Sequence, residues 1–332
     1  MSTSQIKALE DYFRLIDRNA TAHAIRAAVD LGVLAALEDG QKTLEQLASS
    51  LSLNENSLRL LLNVLCRTEL IEKYGDDYAL STVARLIPGK FHHLGDHYWQ
   101  FLSGFVRTGV PLPSDHEVPV TDDDFGLNQA SREWTQTPAA MDAASVLEVG
   151  TARTNLQILE IGCGAAVFGV AIAHHDPGSR LTLVDHPSDL PRAITTVKGV
   201  GLEDRVSYVE ADYLDPEWVS GLEEEDFDLI IVAGVVHRHS PEECQRLFSN
   251  IARLCRPSTQ LAVIDAFAGQ EKGDVHREIF ELEVSLRTSK GQIYLPAEIE
   301  QQLKELGFDD IQYAHLPSAP YIWGLILGTR PS

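Results

Sequence analysis

His237 and Asp265 each follow a strand-like apolar run, and together they could move a proton. Phe227–Ala233 leads to His237, and Ser240-Pro241-Glu242-Glu243 follows it closely. S-x-x-E is a capping box, and proline is favoured in the first helical turn, so a helix is expected to open there. His237 then stands at the carboxyl edge of a sheet beside a helix N-terminus, whose positive dipole end disfavours imidazolium. A neutral imidazole can accept a proton as a general base. Asp265 ends the run Gln260–Ile264 and could hydrogen-bond the other ring nitrogen, fixing the tautomer as the acid of a serine protease triad does.

A second set of residues suits binding. Glu160-Ile161-Gly162-Cys163-Gly164 lies where the strand Gln157–Ile161 hands over to a helix from Val167. Glycines at such a bend let the backbone approach a ligand closely. Asp185 ends the strand Leu181–Val184, about 20 residues on, where a carboxylate grips ribose hydroxyls. A nucleoside-bearing cofactor is indicated. A dinucleotide fingerprint would carry a third glycine where this chain has Val167. Glu160, just ahead of the glycines, suits a cation better than a pyrophosphate. S-adenosylmethionine has an amino group, a sulfonium and no phosphate.

The elements that must position these residues read as three stretches: a helical one at 1–100, a connecting one at 101–145, and an α/β one at 146–332. In the first, Ile6, Leu9, Phe13 and Ile16 share a helical face, and an Ala-rich helix follows through Ala22–Val29 to Leu37. Thr43 opens a capped helix at Leu44–Ser49, and Asn54 caps another carrying Leu58, Leu61, Leu62 and Leu65. Leu70–Tyr74 and Tyr78–Leu80 form a hairpin, so the order suggests a winged helix. In the α/β stretch nearly every strand ends in an acid, a glycine turn or a histidine, and ligands bind at the carboxyl ends of such strands. Ile311–Ala314 and Tyr321–Leu327 are joined by too short a loop for a parallel crossover and must pair antiparallel.

Charge and composition exclude several classes. The 332 residues hold 27 Lys plus Arg against 49 Asp plus Glu, a net charge of −22, which repels nucleic acid and anionic lipid. The exposed side of the Asn54-capped helix offers Glu55, Asn56, Arg59, Asn63, Arg67 and Glu69, too nearly neutral for reading DNA. The apolar N-terminal helices suit a partner subunit, so a homodimer is expected. No apolar run is long enough to span a bilayer, no secretory leader is read, and Cys66, Cys163, Cys244 and Cys255 are scattered, which points to a cytoplasmic protein with free thiols. His93 and His97 lie one helical turn apart, but a third ligand is missing, so no metal is expected.

The ordered motifs carry a resemblance. "AAVDLGVLAALEDG" and the segment from Thr43 to Thr82 resemble the dimerisation domain of the two-domain S-adenosylmethionine-dependent O-methyltransferases, the plant caffeate-type and bacterial polyketide-tailoring enzymes. "LEIGCG", "EADYLDP" and "VVHRHSPEECQRLFSNIARLCRP" resemble that family's cofactor and catalytic motifs. The resemblance implies a winged-helix-like dimerisation domain (1–100) and a Rossmann-like class I methyltransferase domain (146–332). It implies Gly162 and Gly164 beside the methionine part of the cofactor, Asp185 at the ribose, Asp212 beside the adenine and Tyr213 stacking nearby. It also implies His237 as the base, and an acceptor covered by the aromatic stretch with Trp99 and Phe105, together with Met141. Such a lining suits a planar, apolar phenol or polyketide ring. Arg238 and Ile293 stand where the family commonly carries acids. The alternative keeps fold and cofactor but replaces O-methyl transfer with C-methylating, decarboxylating, hydroxylating or pericyclic chemistry. Two readings outside this group are a nicotinamide oxidoreductase and a ligand-sensing DNA-binding regulator.

Overall fold

The computed structural model describes residues 3–82, 84, 96–112, 134–269, 275–318 and 323–331. The chain forms two compact units, residues 1–99 and 100–332.

The first unit begins with one 28-residue helix, α1 (Thr3–Asp30), where two helices were expected. Nothing between Asp17 and Ala22 breaks a helix, and the break falls instead at Gly32, whose φ of 72° ends the run before the short α2 (Val33–Ala36). Strand β1 (Lys42–Thr43) leads into α3 (Leu44–Ser50), which opens on the expected box: Thr43 Oγ1 accepts from Gln46 N, and Gln46 Oε1 accepts from Thr43 N. Asn54 caps α4 (Glu55–Arg67) by accepting from Ser57 N. Strands β2 (Ile71–Tyr74) and β3 (Asp77–Leu80) form the hairpin, and β1 adds to its edge, giving the order β1-β3-β2. Leu34, Leu37, Leu47, Leu58, Leu62, Leu65 and Ile71 make one buried core. The short α5 (Asp96–Trp99) closes the unit.

The second unit opens with α6 (Leu102–Thr108) and α7 (Thr137–Val146). Strand β4 (Gln157–Ile161) and α8 (Val167–His175) follow, then β5 (Arg180–Asp185), α9 (Leu190–Val200), β6 (Val206–Glu210) and β7 (Leu229–Ala233). The chain ends with α10 (Pro241–Leu254), β8 (Gln260–Ala266), α11 (Val275–Arg287), α12 (Pro296–Glu305), β9 (Asp309–Leu316) and β10 (Trp323–Thr329). The seven-stranded sheet has the order β6-β5-β4-β7-β8-β10-β9. Its first five strands are parallel, and β10 runs antiparallel to both neighbours, as the short connection demanded.

Alternate strand residues feed two cores. Ile158, Leu181, Leu183, Leu229, Ile231, Ala262 and Ile264 pack with α7, α8 and α9, while Leu159, Ile161, Ile230, Val232, Leu261 and Val263 pack with α10 and α12. A sheet covered on both faces explains the near-continuous apolar runs of its strands. Between β4 and β7 the strand order reverses. A crevice opens at such a switch point, outside the carboxyl ends of the strands.

Candidate active site

The bend after β4 needs its glycines. Gly162 has φ of 67° and Gly164 of 54°, left-handed conformations that side chains resist. Space is also tight: a Cβ on Gly162 would lie 2.7 Å from Val235 and 3.3 Å from the Tyr213 ring. Four of the bend's backbone donors are engaged within the protein. Gly162 N and Cys163 N donate to Val184 O, Gly164 N donates to Asp185 Oδ2 at 2.7 Å, and Ala166 N donates to Cys163 O.

Around the bend lies a cleft of about 250 Å³ lined by Gly162, Asp185, Asp189, Arg192, Asp212, Tyr213, Arg238 and His239, among others. Asp185 is buried, and its second oxygen accepts from His186 N at 2.8 Å. Burial pushes its carboxyl above the ordinary range, against the opposing pull of those two backbone bonds. Asp212 is exposed and accepts from Leu214 N, which turns the chain after β6. Arg192 pairs with Asp189. Tyr213 is half-buried, with its hydroxyl pushed up to about 12 by burial.

Glu160 was expected at a cation in this cleft. It is not among the lining residues: the strand's alternation sends it to the α8 face with Ile158, where it is 1% exposed and accepts from Gly169 N at 3.1 Å. The charge that reads as ligand-directed in sequence here ties strand to helix.

His237 and Asp265 come together as expected. His237 sits in a single 3-10 turn, Val236–Arg238, just before α10. Its Nδ1 is 2.8 Å from Asp265 Oδ1, and its backbone N donates to Asp265 Oδ2 at 3.2 Å. Asp265 is fully buried at the carboxyl end of β8 and also accepts from Ala266 N. An ionised carboxylate only accepts, so this network assigns the proton to Nδ1 and the lone pair to Nε2. Nε2 has no hydrogen-bond partner among the described residues. The cap of α10 forms as read: Ser240 accepts from Glu243 N, and Glu243 returns the bond to Ser240 N.

The acceptor-side residues fall in both units. Trp99 belongs to the first unit and packs on Tyr98, Phe105 is half-buried on α6, and Met141 is 40% exposed on α7. Among the described residues, Phe280 of α11 lies against His237, edge-on at 5.4 Å between centroids. No motif in the sequence marks it. His92, His93 and the side chain of His97 lie outside the described residues. Among the described residues, no group of three or more His, Cys, Asp or Glu could hold a metal.

Residues 115–309 match the model of the O-methyltransferase domain, well over half of the chain, and residues 13–87 match that of the O-methyltransferase dimerisation domain. The chain belongs to the O-methyltransferase family. Its cofactor is S-adenosylmethionine, and the cleft fits that group. The N–H groups of Gly162, Cys163, Gly164 and Ala166 are bonded within the protein, whereas Asp185, Asp189 and Asp212 supply acceptors for hydroxyl and ammonium groups.

This methyltransferase is 28% identical over 270 residues to the mitomycin biosynthesis 6-O-methyltransferase of Streptomyces lavendulae, covering 74% of this chain and 73% of the relative. It is 23% identical to the N,N-dimethyltransferase OxyT of Streptomyces rimosus, covering 93% of each. Among solved structures, a mitomycin 7-O-methyltransferase superposes with a TM-score of 0.73 at 22% identity, covering 99% of each chain. The human N-acetylserotonin methyltransferase in complex with S-adenosylmethionine gives 0.72 at 20%, covering all of both chains. At these identities the structural likeness establishes the fold of the methyltransferase and nothing finer.

Proposed function

We propose that this enzyme methylates a hydroxyl of a small aromatic or polyketide-like metabolite, with His237 as general base and Asp265 as its orienter. The observation that carries the reading is the 2.8 Å contact from His237 Nδ1 to Asp265, which leaves Nε2 as the accepting nitrogen. S-adenosylmethionine supplies an electrophilic methyl on a sulfonium. His237 Nε2 takes the hydroxyl proton as the acceptor oxygen becomes nucleophilic, and buried Asp265 stabilises the imidazolium that results. Gly162 and Gly164 shape the bend, Asp185 and Asp212 hold the nucleoside through its hydroxyls and base, and Tyr213 walls the cleft. Phe280, edge-on to His237, suits a planar acceptor ring beside the base.

The test is turnover against a panel of phenols, hydroxyquinones and aromatic polyketides, read as S-adenosylhomocysteine release and product mass. Methyl on oxygen, abolished by His237→Ala with S-adenosylhomocysteine affinity nearly unchanged, is the expected result. Unchanged turnover in that variant removes His237 from the mechanism. A carbon-methylated or unmethylated product favours the alternative chemistry suggested by Arg238 and Ile293.

The protein is proposed to be a cytoplasmic homodimer. The dimerisation-domain match supports this, as do Ile6, Leu9, Phe13 and Ile16 of α1, exposed to between 44% and 53% in the single chain. Ile16→Asp is expected to shift sedimentation toward the monomer. No helix among the described residues is long and apolar enough to cross a membrane.

A further inference from the structure

Two residues beyond His237, a second histidine has no part in the chemistry proposed above. His239 Nε2 is 3.0 Å from the Tyr213 hydroxyl, and the two rings meet edge-on at 5.6 Å. On its other side, His239 Nδ1 is 3.5 Å from Glu243 Oε2. Lys290 donates to the other oxygen of Glu243 at 2.6 Å. Glu243 is therefore held as a carboxylate, its carboxyl drawn below the ordinary range chiefly by the Lys290 bond. The carboxylate on that side favours the His239 proton on Nδ1, which leaves Nε2 to accept from the Tyr213 O–H. The His239 backbone is fixed as well, since Tyr294 donates to its carbonyl at 2.7 Å.

The other end of the chain of contacts is the cleft. The Tyr213 carbonyl accepts from Trp218 Nε1 at 3.0 Å and from Asn250 Nδ2 at 3.4 Å, which anchors the backbone, while the ring packs against the core beneath α10. The hydroxyl bond to His239 tethers the far end of the ring, whose edge lies beside Gly162. We propose that His239 is a positioning residue of the cofactor cleft: by accepting the Tyr213 hydroxyl while Glu243, itself held by Lys290, stands beside its Nδ1, it holds Tyr213 in the orientation that binds the nucleoside. This rests on the reading of the cleft as the S-adenosylmethionine site. Burial, which pushes the His239 imidazole below its ordinary range, favours the neutral ring that the arrangement needs.

The experiment is calorimetric titration of the full chain with S-adenosylhomocysteine. His239→Phe keeps a flat ring but cannot accept, and should weaken affinity by about fivefold, the worth of one hydrogen bond. His239→Gln can present an acceptor where Nε2 stood and should recover most of the loss. Tyr213→Phe deletes only the hydroxyl and should match His239→Phe, and in that background His239→Phe should cost little more. A purely structural His239 would cost the same in both backgrounds, and that result overturns the proposal. Equal affinity in wild type and Tyr213→Phe overturns it too, even if the histidine variants fail to fold. No heat with wild type is a different failure, of the cofactor reading itself.

Discussion

Asp265 grips His237 twice, through the ring nitrogen Nδ1 and through the backbone N–H, with its two oxygens divided between them. One side chain therefore sets both the imidazole's tautomer and the turn that carries it. Asp265→Asn keeps the shape but offers an amide donor where the imidazole N–H needs an acceptor. We expect turnover to fall by about a hundredfold or more, the scale of general-base catalysis. Affinity for S-adenosylhomocysteine should stay close to wild type. A calorimetric loss as large as the kinetic one would assign Asp265 to the cleft instead.

Gly291 lets the segment before α12 approach His237. A Cβ there would collide with the His237 carbonyl oxygen and Thr288 Oγ1, and would lie 3.2 Å from Arg238 Cα. The carbonyl is backbone and cannot swing aside, so Gly291→Ala must displace the turn that carries the base. Turnover should drop by about tenfold to a hundredfold, as expected for a misplacement near 1 Å. Steady-state kinetics beside a thermal melt will separate this from general destabilisation.

Arg205 ties the end of α8 to the start of β5. Its guanidinium donates to the carbonyls of Ala173, Asp176 and Ser179, at distances from 2.8 to 3.2 Å. Arg205→Met keeps much of the stem but leaves these part-buried acceptors unpaired. A stability loss of about 1–3 kcal/mol is expected, read as a lower denaturant midpoint. An unshifted midpoint would mean that water replaces the guanidinium without cost.

The His239 environment also sets a pH dependence of stability. Burial is the largest influence on the imidazole and lowers its folded pKa, while Glu243 opposes the shift. Below about 6.5, the ordinary histidine value, the unfolded chain takes up a proton that the folded one refuses. Stability should therefore fall as the pH drops below that value and level off beneath the folded pKa. Unfolding curves of wild type and His239→Phe between about pH 5 and pH 8 should differ in slope on the acid side, with wild type the steeper. Parallel curves would refute the assignment.

Local chemistry was the legible part of this sequence. The boxes at Thr43 and Ser240 each depend on residues three apart, and both form as spelled. Strand ends were legible because apolar runs stop where the sheet meets solvent, which brought Gly162, Asp185, Asp212, His237 and Asp265 to one edge. What stayed hidden needs the third dimension. The partners of His239 include Tyr213, 26 residues away, and no spacing rule pairs them. Phe280 reaches His237 from a helix whose place over the sheet no short motif encodes. Adjacency to the glycines in sequence likewise says nothing about which face of β4 Glu160 occupies, and its bond from Gly169 N is visible only in the fold.

The interior place of β10 bears on biogenesis. In register, Gly324 lies opposite Asp265, so the strand bearing that carboxylate is completed by residues translated after every other part of the site. A nascent chain that already contains His237 and Asp265 but not residues 323–329 would expose a naked β8 edge, a template for mispairing with other chains. Ribosomal stalling or a premature stop shortly before Trp323 should therefore yield insoluble polypeptide rather than a weakened enzyme.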